Sequence, residues 1–169
     1  ASDGTNSTTQ SITVSVTNLN DNSPVFTSSA SLSANENQTT IGIVAASDAD
    51  GNTLSYSISG TDASSMGINS SSGALTFNSA PDYETKSSYS VTATASDGTN
   101  STTQSITVSV NDLNESPAFA SSASFSAAEN QTSIGSVSVS DPESGSITYA
   151  LSGTDAGSMA ISSSGVLTF

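Results

Sequence analysis

Apolar side chains alternate with Ser and Thr at a spacing of two along most of this chain. Leu54, Tyr56 and Ile58 share one phase, as do Tyr89, Val91, Ala93 and Ala95, and again Ile106, Val108 and Val110. Alternation of this kind is the signature of a strand with one face buried and one face wet. It predicts strands near 25–34, 41–46, 53–58, 66–69, 74–77, 88–95 and 103–110. Asp-Gly, Ser-Gly and Asn-rich segments punctuate them, and short strands set roughly 8–12 residues apart with turn signals between them predict an all-β sandwich. No stretch carries the 3.6-residue period of a helix.

The pattern also repeats. Residues 1–16, ASDGTNSTTQSITVSV, return unchanged at 95–110. SPVFTSSASLSANENQTTIG at 23–42 returns as SPAFASSASFSAAENQTSIG at 116–135, and SGTDASSMGINSSSGALTF at 59–77 returns as SGTDAGSMAISSSGVLTF at 152–169. A unit of roughly 93 residues emerges, and self-similarity at such a period signals tandem architecture. The expected organisation is the end of one repeat plus its linker at 1–22, a complete repeat at 23–116, and the first part of a following repeat at 117–169.

Composition sharpens this picture by exclusion. Ile, Leu, Val and Phe make up only 31 of 169 residues and about a quarter of the chain is Ser, a lean core that only regular alternation distinguishes from a disordered stalk. There is no Cys, His or Trp, so zinc sites of the usual kind, thiol nucleophiles and His-based acid–base pairs are excluded. Fifteen carboxylates stand against a single basic residue, Lys86, for a net charge of −14. Phosphate-bearing partners, nucleic acid among them, fit such a surface badly. Cations fit it well. No run reaches the apolar length of a membrane span, and the opening ASDGTNSTTQ has neither the basic start nor the apolar stretch of a signal peptide.

The carboxylates are clustered. Thirteen of the 15 lie in turn-like or strand-edge segments, and only Asp62 and its repeat-mate Asp155 stand apart. Asp48-Ala49-Asp50, Asp82-Tyr83-Glu84 and Asp141-Pro142-Glu143 each hold two carboxylates one residue apart, which repel unless a cation intervenes. Calcium takes six to eight oxygens from carboxylates, amide side chains and carbonyls in flexible geometry, and Asn18-Leu19-Asn20-Asp21-Asn22 offers that mixture. Magnesium demands tighter octahedral geometry and is the weaker candidate.

These segments resemble the motifs of cadherin repeats. NLNDNSP at 18–24 and DLNESP at 112–117 are similar to the DxNDNxP linker, and ANEN at 34–37 and AAEN at 127–130 to the glutamate motif near the first strand. DADG at 48–51 resembles the DxD motif, DYE at 82–84 the DRE-type motif, and ASD at 1–3 and 95–97 the AxD motif, all in the family's order. The resemblance implies a Greek-key seven-stranded β-sandwich with Ca2+ at each junction between repeats. At the second junction it implies ligands from Glu36, Asp82 and Glu84, from Asp112, Asn114 and Glu115 of the linker, from the carbonyls of Leu113 and Ser116, and from Asp141 and Glu143. At the first junction it implies Asn20, Asp21, the carbonyl of Asn22, Asp48, Asp50, Asn52 and Asp97. Asn18 replaces the motif's first Asp, Glu115 replaces another, and DLNES is one residue shorter before Pro117 than NLNDN is before Pro24.

The function expected is that of a calcium-rigidified extender module in an extracellular, cell-surface array, its partners being calcium and the adjacent repeats. Ser/Thr-rich, Cys-free, Lys-poor composition resembles the cadherin-like repeats of bacterial surface adhesins. The alternative is an adhesive module whose repeats themselves bind a ligand or carbohydrate. Tyr56, Tyr89, Phe77 and Phe26 fall on the apolar phases of strands, which assigns them to the core instead of a sugar platform, and an enzyme is not expected.

Overall fold

A computed structural model describes residues 1–169. It is all-β apart from two single 3-10 turns, Ala63–Ser65 and Ala156–Ser158. Between residues 23 and 116 the strands are β1 (Val25–Phe26), β2 (Ser31–Asn35), β3 (Thr40–Ile43), β4 (Ala46–Ser47), β5 (Ser55–Ser59), β6 (Met66–Ile68), β7 (Ala74–Phe77), β8 (Ser88–Ser96) and β9 (Ser101–Asn111). The single strand expected over 25–34 is broken: Thr27 and Ser28 both turn their N–H groups to Ala45 O, at 2.8 and 3.2 Å. The nine segments therefore amount to seven strands, two of them interrupted. One sheet has the order β2-β9-β8-β5, another β3-β7-β6, and β1 pairs with β4. β2 sits beside β9 instead of its sequence neighbour β3, so the chain crosses between sheets as a sandwich requires.

By its internal contacts the chain divides into two compact units. The first comprises Ala1–Leu32, Thr39–Ser79 and Tyr89–Val108. Its core is the inward phase of the alternation: Ile41, Val44, Met66, Leu75, Phe77, Val91, Ala93, Ala95, Ile106 and Val108 are all buried. Each large aliphatic among them contributes about 1.5–3 kcal/mol relative to exposure. Phe77 meets Tyr89 edge-on, with ring centroids 4.9 Å apart. Gly73 makes the close approach that the β3–β7 edge needs. Its φ is +69°, Val44 N–H donates to its carbonyl at 2.9 Å, and a Cβ here would lie 2.0 Å from Val44 O.

The second unit comprises Ser33–Gln38, Ala80–Ser88 and Ser109–Phe169. It repeats part of the same architecture. β10 (Ala118–Phe119) pairs with β12 (Val139–Ser140), and β11 (Ser133–Ser136), β14 (Val166–Thr168) and β13 (Ala160–Ile161) form a sheet of the same order as β3-β7-β6. Gly165 reproduces Gly73, with φ +80° and Val137 N–H at 2.8 Å.

Candidate metal centre

Leu32, Ala34 and Glu36 share the inward phase of β2 and its continuation, which carries Glu36 into burial, only 2% exposed, just past the strand end. A buried carboxylate needs donors. Glu36 has two: Leu113 N–H donates to Oε1 at 2.7 Å and Tyr83 N–H to Oε2 at 2.9 Å. The main chain reinforces the placement, with Glu36 N–H on Asn111 O at 3.1 Å and Asn37 N–H on Pro81 O at 3.0 Å. Three stretches distant in sequence, 35–37, 81–84 and 111–115, are thereby drawn together.

Around Glu36 the carboxylates converge. Oxygens of Glu36, Glu84 and Asp112 lie within 4.8 Å of one another, and so do those of Glu84, Glu115 and Glu143. Glu84 belongs to both triplets. Glu115 N–H donates to Glu143 Oε1 at 3.1 Å, while Glu143 Oε2 is buried without a hydrogen-bond partner. A cavity of about 180 Å³ lies among Glu36, Asn37, Asp82, Glu84, Glu115 and Pro142.

Crowding of like charge shows in the titration behaviour. The hydrogen bond between the Glu115 and Glu143 side chains, helped by desolvation and the charges of Glu36 and Glu143, pushes the Glu115 carboxyl up to about 7. The same bond holds Glu143 below its usual range. At Glu84 its own backbone N–H pulls the pKa down, but desolvation and the charges of Glu36, Asp112 and Glu143 win and raise it.

Not every expected ligand of the second junction joins this cluster. Asp82 turns back on its own turn, accepting Thr85 N–H at 3.2 Å and Thr85 Oγ1–H at 2.9 Å, and the Thr85 bonds hold its pKa down. Asp141 accepts Gly145 N–H at 3.2 Å, and Asn114 donates to Glu115 O at 3.0 Å. Leu113 enters through its N–H, on Glu36.

The first-junction residues form a different arrangement. Asp50 collects the N–H groups of Asp21 and Asn22 on Oδ2, at 3.1 and 2.8 Å, and the Asn22 amide on Oδ1 at 2.9 Å, which lowers its pKa, the Asn22 N–H above all. Asp48 Oδ1 caps the N–H groups of Asp50 and Asn52 at 2.9 and 3.2 Å, leaving Oδ2 buried and unpartnered. Asn100, which sequence reasoning missed, ties Asn20, Asn22 O and Asp97 Oδ2 through its amide at 3.4, 3.2 and 3.3 Å. Its signal was its place closing one of the two Asp-Gly-Thr-Asn turns, as Asn6 closes the other. Here linker and loops are joined by amide donors, and no three carboxylates converge.

Oxygen donors alone, mostly carboxylate, with one buried oxygen unpartnered, fit a hard cation of calcium's kind. The family model of the cadherin domain matches residues 28–111. Residues 28–111 are a cadherin domain. Mouse Protocadherin Fat 4 is 37% identical over 130 residues, covering 71% of this chain, which spans 3% of that relative's length. Human Protocadherin-24 EC1-2 shares the fold with a TM-score of 0.62 at 24% identity, over 89% of this chain and 77% of that one. Mouse Cadherin-23 EC22-24 superposes with a TM-score of 0.57 at 27% identity, over 89% and 54%. Cadherin domains bind calcium and serve as non-enzymatic, extracellular or cell-surface modules of adhesion. No helix of this chain is long and apolar enough to cross a membrane.

Proposed function

We propose that the chain is a calcium-stiffened extender module of a cell-surface adhesin, with Ca2+ held where consecutive repeats, 1–22, 23–116 and 117–169, meet. The carrying observation is the pair of carboxylate triplets that share Glu84 and leave Glu143 Oε2 without a donor. Glu36, Glu84 and Asp112 would hold one ion, and Glu84, Glu115 and Glu143 a second. The ion supplies the positive charge that turns their mutual repulsion into attraction. Glu36 keeps the linker and the 82–84 turn in reach by its two N–H acceptances. At the first junction Asp48, with its free Oδ2, is the anchor of an amide-rich site completed by Asn20, Asp21, Asn22, Asp50, Asn52 and Asp97.

Extracellular calcium fills sites of modest affinity, Kd about 10⁻⁴–10⁻³ M. A joint cross-linked by shared carboxylates stays extended, which suits a spacer. The Cys-free, Arg-free, Ser-rich composition and the unchanged 16-residue repeat support a bacterial surface adhesin as the host. Calorimetric titration of the chain with CaCl2 and small-angle scattering with and without calcium test the reading. Saturable binding with an increase in maximum dimension is expected; no binding, or binding without extension, would overturn it.

A further inference from the structure

We propose that Asn37 is a positioning residue of this centre, whose side-chain amide sets Glu115 in place among the carboxylates. The inference rests on the calcium reading above. Asn37 Nδ2 donates to Glu115 Oε1. Its backbone has φ +61°, and its repeat-mate Asn130 has φ +62°, so the left-handed conformation belongs to the Glu-Asn pair in both copies. Asn tolerates that region where most residues do not. This conformation directs the Asn37 N–H to Pro81 O, at 3.0 Å, while the amide reaches the linker.

The shortened linker explains the need. At the first junction the linker gives two successive N–H groups, of Asp21 and Asn22, to Asp50; at the second only the N–H of Glu115 reaches Glu143. Glu115 also has one more side-chain torsion than the Asp it replaces, so its carboxylate is less determined by its own backbone. Asn37 supplies the missing constraint from outside the linker. Asn37 borders the same cavity as Glu36 and Glu84, so its donor holds the Glu115 carboxylate at the edge of that cavity.

The test is a double-mutant cycle in the whole chain. Asn37→Gly keeps the left-handed backbone and removes only the amide; Asn130→Gly makes the same backbone change at the repeat-mate. Calcium affinity, read by calorimetry, should fall roughly 3- to 10-fold in Asn37→Gly, as the net loss of one ordinary hydrogen bond implies, and less than twofold in Asn130→Gly. In a Glu115→Gln background, Asn37→Gly should add little. Equal effects at the two asparagines, or multiplicative effects of Asn37→Gly and Glu115→Gln, would overturn the proposal. If the unaltered chain takes up no calcium, the function proposed above fails, and the same cycle in urea unfolding of the metal-free chain decides this one: coupling supports the contact, and additivity overturns it.

Discussion

Leu113 donates its N–H to Glu36 Oε1 at 2.7 Å, across 77 residues of sequence, and in doing so attaches the linker to the end of β2 with no ion involved. Glu36 thus has a structural duty besides any ligand duty. Glu84, exposed and surrounded by Glu36, Asp112 and Glu143, has the opposite balance.

The two glutamates should therefore respond differently to removal. Glu36→Ala strands the N–H groups of Tyr83 and Leu113 and should cost the metal-free chain about 2–4 kcal/mol in urea unfolding. Glu84→Gln relieves repulsion, so metal-free stability should hold or rise while the calcium-induced rise in Tm disappears. Equal metal-free losses in the two variants would show that Glu84 is a structural acid.

Ile12 and Ile106 occupy equivalent places in two identical 16-residue segments, yet Ile12 is 80% exposed and Ile106 fully buried. Local chemistry acts the same way in both: Asp3 caps Thr5 and Asn6 as Asp97 caps Thr99 and Asn100. The strand does not. Residues 101–111 pair within the β2-β9-β8-β5 sheet, while residues 8–16 form no strand. Likewise 124–128 and 148–152, counterparts of β2 and β5, alternate correctly but form none, whereas β2 and β5 have β9 and β8 as their sheet neighbours. Alternation says which face will be buried; it does not say whether a partner is present.

That pair of segments is an internal control. Val108→Asp buries an unpaired charge in the core and should unfold the first unit, whereas Val14→Asp, at a position 80% exposed, should change stability by less than about 0.5 kcal/mol. Hydrogen exchange should likewise be slow at 104–110 and near the unprotected rate at 10–16, with intrinsic chemistry identical. Matching protection in the two segments would refute the assignment.

For the candidate site, the residue types and segments were legible and the geometry was not. The motifs identify Glu36, Glu84, Asp112, Glu115 and Glu143, all of which converge. They equally identify Asp82 and Asp141, whose side chains cap local turns. A short Asp can reach its own backbone two to four residues on, and this competition is invisible in a motif. Asn37 escaped notice because an Asn in an Asn-rich chain carries no signal until its partner is known.

The close approach at Gly73 should be intolerant of any side chain. Gly73→Ala places a methyl 2.0 Å from Val44 O in a left-handed backbone, so a loss of at least about 2 kcal/mol is expected. Gly98→Ala also has φ above zero, at +93°, but nothing lies within 4 Å, and its loss should be smaller. Equal losses would mean that the backbone conformation, and not the contact with Val44, sets the cost.

The raised Glu115 carboxyl makes the site sensitive to pH. Glu115 titrates at about 7 in the folded chain against 4.5 for an ordinary glutamate. Between those values the folded state binds more protons than the unfolded one. The contribution to stability is then full below about 4.5 and is lost as pH rises through about 7. Glu84, raised as well, acts in the same direction; Glu143, lowered, acts against it. In chelator, Tm should accordingly decline from pH 5 to about 7.5 by more in the unaltered chain than in Glu115→Gln. Calcium reverses the slope. A site that holds a proton must give it up to admit the ion, so calcium affinity should rise with pH and level off above about 8, with proton release measurable by calorimetry in buffers of different ionisation enthalpy. A metal-free Tm that rises across this window, together with pH-independent calcium affinity, would show that the Glu115 carboxyl is not raised in the folded chain.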